Sequence, residues 1–246
     1  MTEPRILAWY SRGAASAVAT RLMLREHGDR VIPVCCDTGA EDEDNDRFQA
    51  DCEQWFGRKV LVLKSAEYVD TWDVWEKTRW LAGVNGARCT GELKVVPRLD
   101  FQRPDDIHVF GYTNDARDIQ RAKDLRERYF EMTIWTPLID KGLDKAACLA
   151  LVEGAGIALP RTYAMGYPNA NCIPCVKATS PAYWALVRKC HPEKFERMAK
   201  LSRDLGVRLC RLKGERAFID EIPADHPTTN PIVPACDLLC AMEGRV

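Results

Sequence analysis

The chain has 246 residues, of which 46% are hydrophobic and 29% charged, and its net charge is −1 at pH 7. This composition is typical of a globular protein with a full core, and it excludes a surface that coats nucleic acid through general positive charge. No apolar run approaches a membrane span and the N-terminus lacks a signal-peptide pattern, so we expect a cytoplasmic protein without membrane contact.

The first stretch of the chain has the pattern of a strand, a tight turn and a helix. A short apolar run leads into small residues at 11–16, and a helical pattern continues over 17–26. Such a turn directs backbone N–H groups at the space above a sheet, and the helix N-terminus adds partial positive charge. With the hydroxyls of Ser11 and Ser16 and the charge of Arg12, this favours a bound phosphate. A turn that only packs well would look the same, and the pattern is neither a P-loop nor a dinucleotide fingerprint.

Strand and helix patterns alternate along the chain that follows. We expect further strands at 31–35, 59–63, 107–110 and 132–135, and helices at 42–56, 115–129, 144–153, 181–189 and 192–205. Alternation of this kind predicts an α/β fold with a parallel, twisted sheet and helices on both faces. Ligands in such sheets bind at the carboxyl ends of the strands. Ser11, Asp37 and Gly111 all follow strands, so we expect three loops to converge on one crevice.

The alternation of strand and helix patterns ends near residue 140, and helical patterns follow it. We expect a nucleotide-binding α/β domain over 1–140 and a helical extension over 141–246, or one continuous domain. The extension contains a Cys-x-x-Cys loop, and its proline-containing tail ends near Cys236 and Cys240. We expect this tail to be extended.

Eleven cysteines in a long chain without an export signal predict thiols that are buried, bind metal or react. Cys52 and Cys148 lie within helical patterns, and Cys35 and Cys36 end an apolar run, so we expect these four in the core.

Cys172 and Cys175 give the strongest local metal pattern. Their spacing lets both thiolates turn toward one ion, and Pro174 stiffens the bend. An iron–sulfur site, a zinc site and a redox dithiol all remain open on spacing alone.

Several segments resemble, in the same order, the phosphoadenylyl-sulfate (PAPS) reductase branch of the PP-loop adenine nucleotide alpha hydrolase superfamily. Residues 11–16 resemble the Ser-Gly-Gly-x-Asp-Ser loop, although Arg12 replaces a Gly and Ala15 replaces the Asp. Residues 37–39 read Asp-Thr-Gly, as in that branch. Segments 89–97, 134–140 and 159–175 also follow its pattern, with Thr90 in place of a second Cys.

The resemblance implies a site that binds an adenine nucleotide as substrate or cosubstrate, either ATP or a sulfonucleotide. The implied nucleotide-binding residues are Ser11, Arg12, Gly13, Ala14, Ser16, Asp37, Thr38, Gly39, Lys94, Gly111, Arg117 and Arg121. Arg117 and Arg121 are the arginines of the 115–129 helix nearest the strand end, where a guanidinium suits a phosphate. The same helix also carries acidic residues, so a solvated, ion-paired face is the alternative.

The resemblance further implies a metal centre held by Cys89, Cys172 and Cys175. The expected centre is a 4Fe–4S cluster with one iron left open or held by a fourth group; zinc is the alternative. The tail resembles the Glu-Cys-Gly-Leu-His tail of sulfonucleotide reductases, which implies Cys236 and Cys240 as catalytic thiols. The two could instead complete a metal site with Cys172 and Cys175, or have no role.

The leading hypothesis is therefore a PAPS reductase-like enzyme that carries out sulfur chemistry, either sulfonucleotide reduction or sulfur transfer. Its partners would be the nucleotide and a thiol or sulfur donor protein. The sequence leaves the oligomeric state open, with a dimer as one option. One alternative is an ATP-dependent adenylating sulfurtransferase acting on a nucleic-acid base or a small molecule. Another is a regulator that senses a nucleotide or cluster without turnover.

Overall fold

The computed structural model describes residues 3–83, 86–232 and 234. Within these ranges the strands are β1 (Ile6–Trp9), β2 (Val31–Cys36), β3 (Leu61–Leu63), β4 (Ala82–Gly83), β5 (Gly86–Ala87), β6 (Ile107–Phe110), β7 (Thr133–Trp135), β8 (Cys210–Leu212) and β9 (Glu215–Ala217). The α-helices are α1 (Ala14–His27), α2 (Asp44–Phe56), α3 (Thr71–Thr78), α4 (Arg88–Thr90), α5 (Val96–Phe101), α6 (Ala116–Arg128), α7 (Pro137–Asp140), α8 (Lys145–Gly154), α9 (Arg161–Ala164), α10 (Pro181–Cys190) and α11 (Pro192–Asp204).

The main sheet has five parallel strands in the order β3-β2-β1-β6-β7, with helices on both faces. This confirms the predicted α/β fold. β1 lies at the centre, where it pairs with β2 on one side and β6 on the other. Its residues Ile6, Leu7 and Ala8 are fully buried, which explains why this strand is apolar throughout rather than alternating.

The described residues form two hydrophobic cores. The first lies between the sheet, α1 and α8, and it contains Cys52 and Cys148 as expected. The second is formed around α3, α10 and α11, with Trp75 and Trp184 at its centre. Side chains of α8 thus pack with the sheet although they follow residue 140, and the domain division stays a prediction.

The long elements begin and end close to the predicted positions, and the elements between residues 71 and 101 were not predicted. This stretch contains α3, the β4–β5 hairpin, α4, a π-helical turn at Gly91–Val95 and α5. A second hairpin, β8–β9, follows α11. None of the helices in the described ranges is long and apolar enough to cross a membrane.

Candidate functional site

The turn between β1 and α1 is closed by its own polar groups. Arg12 has a left-handed backbone (φ 55°), and Gly13 is the N-cap of α1. The Ser16 hydroxyl accepts a bond from the Ser11 amide (3.0 Å) and donates to the Gly13 carbonyl (2.9 Å). The two serines therefore fix the shape of the turn. In the part of the chain described, the amides of Ala15 and Ser16 have no acceptor.

Two side chains from distant parts of the chain lie against this turn. The Tyr163 hydroxyl accepts a bond from the Ala14 amide (3.3 Å). Lys145 approaches the same hydroxyl (3.4 Å) and donates to the Asn169 side chain (2.9 Å). Lys145 thus places a positive charge beside the N-terminus of α1. We did not predict Lys145, because no local pattern links α8 to the turn.

Arg12 lies on the turn, but its charge is directed toward α2. Its guanidinium donates to Gln49 (2.9 Å) and lies 3.4 Å from Asp46 and 3.9 Å from Asp37. These carboxylates neutralise much of the charge that was predicted to face a phosphate.

The loop after β2 is joined to this turn through Asp37. Burial alone would raise the pKa of Asp37, but the Gly39 amide (3.0 Å), Lys64 (3.3 Å) and Arg12 outweigh it and lower that pKa. Gly39 has a left-handed backbone (φ +62°), and a Cβ there would lie 2.6 Å from the Val69 carbonyl oxygen, so the loop requires glycine.

The loop after β6 touches the first turn of α1. A Cβ on Gly111 would lie 2.7 Å from Ser16 Cα and 2.8 Å from Ser16 N. Together with the Arg12–Asp37 contact, this confirms that the loops after β1, β2 and β6 meet at one edge of the sheet.

Next to the loop after β2, Lys94 lies among thiols. Burial disfavours its ammonium, but Cys172, Glu41, Cys35 and Cys36 outweigh this effect and raise the pKa of Lys94, so it stays protonated. Cys35 is in the core as predicted, whereas Cys36 is only half-buried and its thiol contacts the Lys94 carbonyl oxygen (3.7 Å).

Cys172 belongs to the same cluster as Lys94, Glu41, Cys35 and Cys36. Its sulfur is 2.8 Å from the Thr38 hydroxyl, which also donates to Glu41 (2.6 Å). Burial raises the pKa of Cys172 to about 12 although Lys94 opposes the shift. The second oxygen of Glu41 is enclosed and has no donor in the described part of the chain. Thr38 and Lys94 are therefore close to Cys172, a predicted metal ligand.

Arg117 and Arg121 lie on the first turns of α6 and are exposed. Arg121 forms an ion pair with Asp118 (2.8 Å) and lies over the Tyr112 ring (4.9 Å). No ion pair of Arg117 is found within the described ranges. The structure does not bring either side chain onto the turn at 11–16, and their contact with a nucleotide stays a prediction.

The predicted metal ligands are neighbours. Cys89 interacts electrostatically with Cys175, and Cys175 does so with Cys172. Among the residues that the structure describes, however, no three His, Cys, Asp or Glu side chains are grouped closely enough to hold an ion. Cys236 and Cys240, predicted as catalytic thiols or further ligands, lie outside the described residues. The described donors alone do not complete a centre, so the iron–sulfur or zinc site stays a prediction.

No protein-family model matches the sequence, and a search of curated proteins finds no relative of it.

Proposed function

We propose that the chain binds an adenine nucleotide by its phosphates at the turn between β1 and α1, and that it carries out sulfur chemistry at the adjoining thiols, as a PAPS reductase-like enzyme. The observation that carries this proposal is the meeting of two features at one edge of a parallel sheet. One is a helix N-terminus with free amides and a lysine beside it, and the other is a protonated Lys94 among four sulfur and carboxyl groups.

The phosphate part of the proposal depends on Lys145. Arg12 is paired with carboxylates, and Ala15 stands where the resembling loop has an acidic residue. The free amides at the start of α1 and the ammonium of Lys145 together supply donors and positive charge for an anion. Tyr163 holds Lys145 beside the turn by contact with its ring (5.2 Å).

The sulfur part depends on Lys94. The ammonium group of Lys94, which stays protonated among the thiols, stabilises negative charge on sulfur, either on an attacking thiolate or on a departing sulfur group. The resemblance implies Cys236 or Cys240 as the attacking thiol, and Cys172 interacts electrostatically with Lys94. An iron–sulfur or zinc centre at Cys89, Cys172 and Cys175 remains part of the proposal, but no step is assigned to it.

The nucleotide site is tested by calorimetric titration of the full chain with ATP and with AMP. We expect Lys145→Met to weaken binding about tenfold or more, because a charged hydrogen bond to the phosphate is lost. Lys141→Met is the matched control, since Lys141 is exposed and paired with Glu26 (2.8 Å). Equal affinity in the Lys145 variant and the control would contradict the proposed phosphate site.

The reaction is tested by supplying a sulfonucleotide with a dithiol, and separately ATP with a sulfide source. Release of sulfite from the sulfonucleotide supports the reductase. Pyrophosphate release from ATP would instead indicate an adenylating sulfurtransferase, for which a nucleic-acid base is one acceptor to test. Tight binding without any product would indicate a regulator.

A further inference from the structure

Positive charge is concentrated in one segment of this nearly neutral chain. Residues 181–217, from the start of α10 to the end of β9, contain ten Lys or Arg and four Asp or Glu residues, whereas the whole chain has a net charge of −1. A charge excess confined to one segment indicates a polyanionic partner. Arg197 and Arg203 of α11 form ion pairs with carboxylates, so the excess lies mainly on the other cations.

The β8–β9 hairpin carries four of these cations. They are Arg208 just before β8, Arg211 in β8, Lys213 in the turn and Arg216 in β9, and all four are exposed. None of them forms an ion pair within the described ranges. Their contacts there are to uncharged groups, such as the Gly214 carbonyl oxygen for Arg211 (3.4 Å) and the Phe218 ring for Arg208 (5.5 Å).

Two of the arginines face each other across the hairpin. Arg211 and Arg216 are direct partners in the register of β8 and β9. Like charges in such a position destabilise a strand pair, so the fold gains nothing from this arrangement. The neighbouring partners Cys210 and Ala217 are buried, so the two arginines lie on the outer face. Glu215, the one acidic residue of the hairpin, alternates with Arg216 and therefore belongs to the other face.

The hairpin is fixed beside the loop of the predicted metal ligands. The Arg211 amide donates to the Thr179 carbonyl oxygen (2.9 Å), and the Ala178 amide donates to that of Cys175 (3.0 Å). Lys177 lies on this loop, is exposed and interacts electrostatically with Cys89. It has no ion pair among the residues that the structure describes. The basic surface, defined by Lys177, Arg208, Arg211, Lys213 and Arg216, therefore runs from the hairpin to the thiols.

The chemistry of the basic surface favours phosphates of a nucleic-acid duplex. Three of its five cations are arginines, whose guanidinium group suits a phosphate. In the described part of the chain, no large hydrophobic side chain between residues 177 and 217 is exposed. Protein interfaces and membrane-bound helices use apolar anchors of this kind, and single strands are held by exposed aromatic rings. The basic surface offers none of these, whereas a duplex backbone requires only positive charge and donors.

We propose that the basic surface binds the phosphate backbone of double-stranded nucleic acid. The outer face of the hairpin supplies the two opposed arginines, and Lys177 continues the contact toward Cys89 and Cys175. A duplex held there relieves the repulsion between Arg211 and Arg216. The inference does not depend on the nucleotide site at the turn or on a metal at the cysteines.

The test is fluorescence anisotropy of the full chain with a short labelled DNA duplex, the matching RNA duplex and one single strand, from about 50 to about 200 mM salt. The wild type should bind the duplexes with a Kd that rises steeply with salt. Arg211→Gln/Arg216→Gln should weaken duplex binding about tenfold or more at the lowest salt. It should also reduce the slope of log Kd against log salt by about two, because two phosphate contacts are lost.

Lys59→Gln/Lys141→Gln is the matched control, because it removes the same net charge from cations that are already paired. Lys59 lies 2.6 Å from Glu53, and Lys141 lies 2.8 Å from Glu26. The control should bind the duplexes as the wild type does. The arginine variant should keep the midpoint of thermal unfolding or raise it, since a like-charge pair is removed, and this separates lost binding from misfolding.

The proposal is overturned if the wild type binds no duplex at the lowest salt, or if the arginine variant binds as tightly as the control. Tighter binding of the single strand than of either duplex would also contradict it. Vesicles that contain phosphatidylserine are the competitor, and displacement of the duplex by them at equal phosphate concentration would indicate a membrane surface instead.

The nucleotide site is tested separately by the same variants. Arg211→Gln/Arg216→Gln should bind ATP as tightly as the wild type. Loss of ATP binding in Lys145→Met concerns only the proposed nucleotide site. If Lys145→Met weakens duplex binding as much as the arginine variant does, the basic surface is not the docking site.

Discussion

His108 shows what a single enclosed imidazole does to stability. It is 1% exposed, and its Nδ1 accepts a hydrogen bond from Trp9 Nε1 (3.1 Å). Burial lowers its pKa from 6.5 to about 4, so the folded protein holds it neutral where the unfolded chain already takes a proton. Because the unfolded state binds more protons in this window, stability should fall as the pH drops from about 6.5 to about 4. We expect this residue alone to contribute a loss of about 3 kcal/mol in the free energy of unfolding.

The measurement is a series of urea unfolding curves across this pH window for the wild type and His108→Asn. The amide oxygen of asparagine can accept the bond from Trp9 without titrating. Carboxylates contribute equally to both proteins, so the wild type should lose more stability than the variant. Parallel pH dependences would show that His108 is not held neutral.

Only some residues of the candidate site could be predicted from the sequence. Ser11 and Ser16 were predicted in the turn and lie there because local pattern is enough for a strand followed by a helix. Tyr163 is 149 positions away from Ala14, which it contacts, and only the packing of α8 and α9 on α1 brings it there. Arg12 lies on the turn as predicted, but its contacts with Asp37 and Asp46 come from the loop after β2 and from α2, which no local pattern links to the turn.

The contact between the β6 loop and α1 makes a prediction at the level of elements. Gly111→Ala would force a methyl group against the Ser16 backbone, so the loop or the first turn of α1 must move. We expect a loss of about 1–3 kcal/mol in the free energy of unfolding, as for other overpacked sites, and weaker ATP binding. Denaturant unfolding and calorimetric titration measure the two effects.

Gly91→Ala is the control for this change. A Cβ on Gly91 meets nothing within 4 Å, so this substitution should leave both stability and ATP affinity close to those of the wild type. If Gly111→Ala behaves like the control, the loop after β6 is not held against the turn.

Long elements were predictable and short ones were not. The strand at 107–110 and the helices on either side of residue 191 have clear apolar patterns of the right length. The β4–β5 hairpin has two residues per strand, and the π-helical turn at Gly91–Val95 has no periodicity of its own. Ala87 of the hairpin and Leu93 of the turn are buried in the second core, whose other residues come from distant parts of the chain, and no local pattern records this packing.

At the scale of the molecule, the cysteines predict a metal site, and the described residues do not supply its full set of ligands. If Cys236 and Cys240 supply further donors, the anaerobically purified full chain should contain iron with sulfide, or zinc. Cys172→Ala should lose most of this metal, because Cys172 would be a direct ligand. Elemental analysis with an absorption spectrum measures the result.

Cys148→Ala is the matched control, since Cys148 is fully buried in the core beneath the sheet. It should keep the metal content of the wild type. A wild type without metal, or a Cys172 variant that retains it, would leave the thiols as reactive groups only.

The sequence predicted a parallel sheet but not the order of its strands. Alternating strands and helices favour parallel pairing, and the order β3-β2-β1-β6-β7 places the switch in direction beside β1. The sequence pattern did not show that residues beyond 140 would contribute to both cores, because that depends on how the chain crosses the completed sheet.

Pro33 lies within an inner strand, and its position bears on how this protein meets other chains. Val34 presents its carbonyl oxygen to Tyr10 (2.8 Å), so the neighbouring Pro33 faces the opposite side, toward β3. β3 pairs with β2 only from Val34 onward and is three residues long, as is the other outer strand, β7. A foreign strand extending β3 backward would find no N–H at Pro33. Short edge strands of this kind offer few free backbone groups for pairing with a strand of another chain. We therefore expect them to limit aggregation while the parallel sheet, which forms slowly, is still assembling during synthesis.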